Sequence, residues 1–299
     1  MVSIMTFQNN IIDNTVNKLI KGEDYREEIL RSINATFLDF SLFFFQTIVN
    51  AKMSDEGITL EWYKKYFLNE DNFSPEEAAI FAGINKKSIT NIYGSATKEI
   101  VFDVANANFE YISSLLTNLE NDVNSDFFIT IKICYKDISV DLSLSESLMV
   151  INALATKKIQ IRGGAWSAIG KKVEKPLIDR LCKEAGVYPD YIDNSHFVKD
   201  KSKSFDREVD YKLKSRTGVV YRIEVKLMGK GNPESADATI ARDSDIFVAD
   251  TLSEQNCNQL KARGVKFLVL KDNKNIINDF KKILIDLDIP FEDDLLNKI

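Results

Sequence analysis

Acids and lysines stand at a suggestive spacing in two stretches, Arg207-Glu208-Val209-Asp210-Tyr211-Lys212-Leu213 and Tyr221-Arg222-Ile223-Glu224-Val225-Lys226-Leu227. Both alternate apolar and polar residues, the period of a strand with one buried face. In the second, Tyr221, Ile223, Val225 and Leu227 point one way, while Arg222, Glu224 and Lys226 point the other. In the first, Glu208, Asp210 and Lys212 oppose Val209, Tyr211 and Leu213. The three-residue connection Arg216-Thr217-Gly218, with glycine in the left-handed position, makes the two stretches a hairpin that aligns Ser215 with Val219. Counting back sets Asp210 across from Glu224, with Lys226 on the same face. Two carboxylates can hold a hard cation such as Mg2+, which polarises a phosphate and lowers the pKa of a bound water. A lysine beside them positions or deprotonates that water. The set suits hydrolysis of a phosphodiester.

The spacing alone is common, since an acid also precedes a lysine by two residues at Asp210/Lys212, Asp272/Lys274 and Asp279/Lys281. What distinguishes Glu224/Lys226 is a strongly apolar strand, an acid in matching register upstream, and an α/β pattern downstream. A rival register, with Asp190 upstream of Asp210-Tyr211-Lys212, fails because the stretch through Ser204 is polar loop and supplies no partner strand. The structural alternative is a solvated sheet face crossed by ion pairs.

Other segments lend themselves to the same chemistry, each with a plainer reading beside it. Glu174, in Lys171-Lys172-Val173-Glu174-Lys175-Pro176, brings a third carboxylate from a preceding helix, or is an exposed helix acid among lysines. Gly229-Lys230-Gly231-Asn232-Pro233 follows the second strand and opens a helix, a geometry in which backbone N–H groups, Lys230 and Asn232 approach a phosphate; it equally suits an ordinary strand-helix turn. Ile161-Arg162-Gly163-Gly164-Ala165-Trp166 reads as a flexible basic loop whose Arg162 and Trp166 touch DNA, or as a structural turn.

The elements that must position these residues are legible in outline. The first 125 or so residues are helical in period, with helices over Phe7–Lys21 and Tyr25–Lys52 and a start at Ser74-Pro75-Glu76-Glu77, where a capping hydroxyl precedes a first-turn proline and an acid at the third helical position. Residues 76–93 have the rhythm of a helix-turn-helix: Ala79 permits close approach, Gly83 takes the turn, and Ile84, Ile89 and Ile92 pack the second helix. Its outer face would present Lys86, Lys87, Thr90 and Asn91 to a major groove; a helical hairpin without DNA contact fits the same pattern. Phe128–Ile133 alternates like a strand and Ser143–Ala155 is helical. From Lys171 the order is helix, polar loop, two strands, then helix and strand in alternation to a helix over Lys274–Leu287. That order predicts an α/β domain, a mixed sheet flanked by helices, over residues 146–299, after a mainly helical, DNA-engaging region over 1–145.

Composition narrows the classes. With 299 residues, 44% hydrophobic, and only 12 glycines and 5 prolines, the chain is globular rather than fibrous or low-complexity. One histidine, His196, excludes zinc sites built on several histidines. Cys134, Cys182 and Cys257 have no metal-type spacing and cannot all pair, as suits reduced thiols in a cytoplasm. The N-terminus lacks a secretory pattern, and the longest apolar run, Phe37–Ala51, is interrupted by Asp39, Ser41 and Gln46, so no membrane span is expected. Net charge is −6, yet residues 157–231 hold 18 Lys/Arg against 10 Asp/Glu, a local +8 compatible with a polyanion at one face.

Asp210, Glu224-Val225-Lys226 and Glu174 together resemble the PD-(D/E)XK nuclease superfamily, in particular its type II restriction endonucleases. The run from Glu224 to Asp237, with Gly163-Gly164-Ala165-Trp166-Ser167 and Glu174-Lys175-Pro176, is similar to the CfrBI-type restriction enzymes over roughly residues 85–270. One departure is Val209, where the superfamily often has proline before the first acid. The resemblance implies a PD-(D/E)XK core in a prokaryotic homodimer that cuts both strands of a short palindrome in foreign double-stranded DNA. It also implies Mg2+ held by Asp210, Glu224 and Glu174, Lys226 as the fourth catalytic residue, and a companion DNA methyltransferase. The alternatives are a repair or junction-resolving nuclease on the same core, and a helix-turn-helix regulator without metal chemistry.

Overall fold

In the computed structural model, the described residues are 4–53, 59–121, 129–135, 137–193, 211–227 and 244–292. The chain divides into two units, one of Met1–Ser32 with Ala165–Ile299 and one of Ile33–Gly164. The division falls at Gly164, beyond the 145/146 boundary expected from sequence, and the first helix belongs with the sheet. Its apolar residues Ile11, Val16 and Leu19 are buried in that unit.

Among the described residues six helices come first, in the stretch read as helical, though only α1, α2, α4 and α5 were singled out from sequence: α1 (Ile4–Ile20), α2 (Arg26–Met53), α3 (Leu60–Phe67), α4 (Pro75–Phe81), α5 (Lys86–Tyr93) and α6 (Lys98–Glu120). The Ser74 start is a reciprocal capping box: Glu77 N–H donates to Ser74 Oγ at 3.3 Å and Ser74 N–H to Glu77 Oε2 at 2.9 Å. The unit of Ile33–Gly164 is built on rings. Phe44, Phe67 and Phe81 are fully buried, with centroids 4.5 to 5.4 Å apart, contacts that add to the stabilisation from buried area alone. Phe44 comes from α2, and the stretch Arg26–Ala51 is long and apolar enough by composition to cross a membrane, contrary to expectation. Polar Ser41 interrupts it at small cost because its hydroxyl donates to Phe37 O within the helix, at 2.8 Å. Within the protein, α2 also places Ile48 and Val49 in the ring cluster.

A hairpin follows, β1 (Lys132–Tyr135) with β2 (Ile138–Asp141), the latter absent from the sequence reading. The helix α7 (Leu144–Ala185) then runs 42 residues without a break. Two helices were expected here, with a loop at residues 161–166. The helix continues because the turns on either side are well anchored, by Met149, Val150 and Ala153 before the glycines and Ile169, Val173 and Leu177 after them.

Among the described residues the main sheet has four strands in the order β3 (Tyr211–Lys214), β4 (Val220–Lys226), β5 (Ile246–Ala249) and β6 (Lys266–Val269). The first pair is antiparallel and the other two are parallel, the mixed α/β sheet read from sequence. Helices α8 (Glu254–Ala262) and α9 (Ile276–Asp286) both pack against β6. On one face the Tyr211 hydroxyl donates to Asp179 of α7 at 2.7 Å. On the other, Leu260 of α8 packs with Phe247, Ala249 and Val265.

At the α4–α5 turn Gly83 has φ +82°, and a Cβ there would lie 1.8 Å from Asn152 Nδ2. Gly83→Ala should therefore lower stability by ~1–3 kcal/mol through backbone strain and displacement of Asn152. Urea denaturation of the two proteins measures it; an unchanged midpoint would show that the turn relaxes freely.

Candidate active site

The chemistry-bearing strand is β4, second in the sheet. Ile223 and Val225 are fully buried, whereas Glu224 and Lys226 on the opposite face keep partial solvent access. The hairpin that precedes it has the geometry counted from its loop. Gly218 has φ +82°, Ser215 N–H donates to Val219 O at 2.9 Å, and Val219 N–H returns to Ser215 Oγ at 3.1 Å. The ladder runs Tyr211↔Ile223, Lys212↔Arg222, Leu213↔Tyr221. Asp210 lies outside the described residues, as do Lys230, Asn232 and the helix expected over Pro233–Arg242.

Lys226 Nζ lies 3.1 Å from Glu224 Oε1, with side chains 36% and 19% exposed. This is an ion pair of the kind the structural alternative anticipates, and also the one that places a lysine beside an acidic oxygen. In such partial exposure the pair contributes at most about 1 kcal/mol, so it poses little obstacle to a competing ligand. In the parallel ladder Glu224 stands beside Phe247 and Lys226 beside Ala249. The pair thus borders the apolar cluster under α8. Glu224 supplies hard oxygen suited to a cation such as Mg2+. Among the described residues no three acidic, histidine or cysteine side chains are gathered to hold a metal. Glu174 sits on α7, half-exposed beside fully buried Val173, with Oε1 folded back towards Gly170.

An acid not singled out from sequence sits at the end of the neighbouring strand. Asp250 follows Ala249, is 3% exposed, and donates its backbone N–H to Lys226 O at 3.4 Å. Tyr25, just ahead of α2, donates its hydroxyl to Asp250 Oδ2 at 2.7 Å, and Thr251 N–H donates to Oδ1 at 2.8 Å. Burial and then the Asp250 charge raise the Tyr25 pKa far above its ordinary value, so the hydroxyl stays a donor. A readable signal existed: an acid directly after the apolar run Ile246-Phe247-Val248-Ala249, at the carboxyl end of a parallel strand, where ligands of α/β sheets gather.

The other sequence candidates divide. Arg162 and Trp166 lie on α7 and not on a loop. Arg162 is exposed, whereas Trp166 packs edge-on against Tyr25, centroids 5.8 Å apart. In the other unit, α4 and α5 form the expected helix-turn-helix-like corner. Gly83 N–H reaches Ile80 O and Ile84 N–H reaches Ala79 O, both at 2.9 Å, and the Asn85 side chain caps α5 through Ser88 N–H at 2.9 Å. Ile89 is fully buried, and Lys86, Lys87, Thr90 and Asn91 are exposed on the outer face. Ile92, expected to pack, is 68% exposed, because it falls at the last turn and to the side of Ile89.

An antiparallel hairpin feeding parallel strands makes this an α/β fold, and its shared strand presents an acid and a lysine together on one face. The chain matches the family model of the CfrBI restriction endonuclease over residues 9–257 and belongs to that family. It is accordingly a restriction nuclease, a hydrolase whose substrate is DNA. No curated protein and no solved structure matches the chain.

Tyr25→Phe should destabilise the protein by ~1–3 kcal/mol, since it leaves a buried carboxylate one donor short. Chemical denaturation checks this, and wild-type stability in the variant would mean that another donor replaces the hydroxyl.

Proposed function

We propose that this protein is a type II, Mg2+-dependent endonuclease with a PD-(D/E)XK core. It hydrolyses both strands of double-stranded DNA at a short palindrome, as a homodimer, in cytoplasmic defence alongside a companion methyltransferase. The observation that carries the reading is the Glu224–Lys226 pair at 3.1 Å, on the face opposite fully buried Ile223 and Val225, in a chain of this family. Asp210, next in the chain before the Tyr211↔Ile223 pair, is proposed to face Glu224. Asp210 and Glu224, with Glu174 as third donor, would hold the ion. When bound, Mg2+ supplies charge neutralisation at the scissile phosphate and a more acidic water. Lys226 orients the attacking water, and takes its proton only as the neutral amine, after the ammonium held by Glu224 has given a proton to solvent. Lys86, Lys87, Thr90 and Asn91 on α5 engage the duplex, the lysines at phosphates and Thr90 and Asn91 at base edges. Arg162, Trp166, Lys230 and Asn232 are proposed as further DNA contacts. Family membership favours restriction over repair or transcriptional regulation.

Lys226→Ala should reduce cleavage by ~10²–10⁴ with DNA affinity nearly unchanged. Asp210→Asn and Glu224→Gln should each abolish Mg2+-dependent cutting. In thermal melts Mg2+ should raise the wild-type midpoint by mass action and move the two variants much less. Plasmid digestion with mapped ends reads the activity, and efficient cutting by any of the three would remove this site from consideration.

Replacing Lys86 and Lys87 with alanine should weaken binding to all sequences alike and flatten the salt dependence by about one to two units. Changing Thr90 and Asn91 should weaken the cognate site selectively. Fluorescence anisotropy over a salt series separates the two, and unchanged affinities in both would leave α4–α5 a helical hairpin without DNA contact.

A further inference from the structure

The fold aims Lys212 at the face of Glu224 and Lys226 and leaves it without an acid. Its neighbours on β3 fix the direction. The Tyr211 hydroxyl is held by Asp179 and Leu213 is fully buried, so alternation turns Lys212 to the opposite face. That face is the one of Glu224 and Lys226, because Tyr211 pairs with Ile223 and Lys212 with Arg222. The other two lysines of the hairpin are engaged, Lys214 with Asp193 at 3.7 Å and Lys226 with Glu224 at 3.1 Å. Half-buried Lys212 makes no ion pair and no side-chain hydrogen bond among the described residues. Directly across the ladder stands Arg222, a second cation, and like charges set opposite one another destabilise a sheet. Asp245, beside Arg222, directs Oδ2 to the Arg222 N–H at 2.7 Å. Two cations kept side by side at that cost mark a place for an anion.

The spacing indicates which anion. Two residues along a strand cover ~6.6 Å, comparable to the separation of successive phosphates along one strand of DNA. Glu224 and the Lys212/Arg222 pair are one such interval apart. We propose that Lys212 binds a non-bridging oxygen of the phosphate one nucleotide from the scissile one, on the strand being cut. It thereby holds the backbone in line with Glu224 and Lys226. The identity of the phosphate rests on the nuclease reading above, with the ion site at Glu224, whereas the unpaired cation does not.

The test uses the full chain, Lys212→Gln, and Lys212→Arg, which keeps the charge. Substrates are a duplex carrying the site mapped by plasmid digestion and the same duplex with one uncharged methylphosphonate at each phosphate flanking the cut. Neutralising the neighbouring phosphate should lower wild-type kcat/KM by about ten-fold. Lys212→Gln should show that loss on the native duplex and no further loss on the modified one, while staying sensitive to methylphosphonates elsewhere. Lys212→Arg should recover most of the activity. In anisotropy titrations over a salt series, Lys212→Gln should flatten the salt dependence of DNA binding by about one unit. Its melting midpoint without DNA should be no lower than wild type, since a like charge opposite Arg222 has been removed. The proposal is overturned if the losses from Lys212→Gln and from every flanking methylphosphonate simply multiply, or if the salt slope is unchanged. A variant that melts well below wild type would equally overturn it, because Lys212 would then be a scaffold cation. Wild-type protein that cuts no duplex with Mg2+ would remove the nuclease reading, and the salt slope and melts would still decide whether Lys212 meets a phosphate.

Discussion

Strand β4 cannot bury both of its faces. Ile223 and Val225 lie at zero exposure between β3 and β5, and each such side chain contributes about 1.5–3 kcal/mol on leaving water. A slip of one residue would send both into solvent and draw Glu224 and Lys226 into an apolar layer, where an unpaired charge costs far more. The hairpin loop enforces the same answer from the other side, since Gly218 at φ +82° and the Ser215–Val219 bonds admit one register. The acid and the lysine are therefore held at the sheet surface by hydrophobic residues that take no part in chemistry.

The same economy appears at the carboxyl end of β5. Four successive buried residues, Ile246 to Ala249, leave the chain at Asp250, whose carboxylate is sealed from water and met by Tyr25 from the far end of the sequence. That hydrogen bond spans 225 positions and explains why α1 belongs with the sheet and not with the helices that follow it. A buried carboxylate without such a donor would destabilise the strand end adjoining Lys226. In the other unit the equivalent constraint is the ring cluster around Phe44, Phe67 and Phe81, against which the α4–α5 corner is set by Gly83.

Much of this was legible from residue order. The capping box at Ser74, the α1 and α2 spans, the hairpin register through Tyr211↔Ile223, and the succession β4, β5, α8, β6, α9 follow from local periodicity and turn chemistry, which act over a few residues. The errors came where distant packing overrode a local signal. Gly163-Gly164 reads as a break, yet α7 runs through it because anchored turns on both sides carry the helix across. Ile92 has the spacing of a core residue but sits where α5 has already run past its support.

By itself the sequence determined the α/β class, the placement of Glu224 and Lys226 on the face opposite Ile223 and Val225, and the likeness to a restriction endonuclease family that the family match bears out. Those depend on alternation, loop length and residue order, all short-range properties of a chain. Only the tertiary structure decided that Trp166 leans on Tyr25, that Tyr25 closes over Asp250, and that the N-terminal helix serves the sheet. Such contacts join residues more than a hundred positions apart. Their energy comes from burial and from satisfying a polar group in a particular enclosure, and no local pattern records which enclosure that will be.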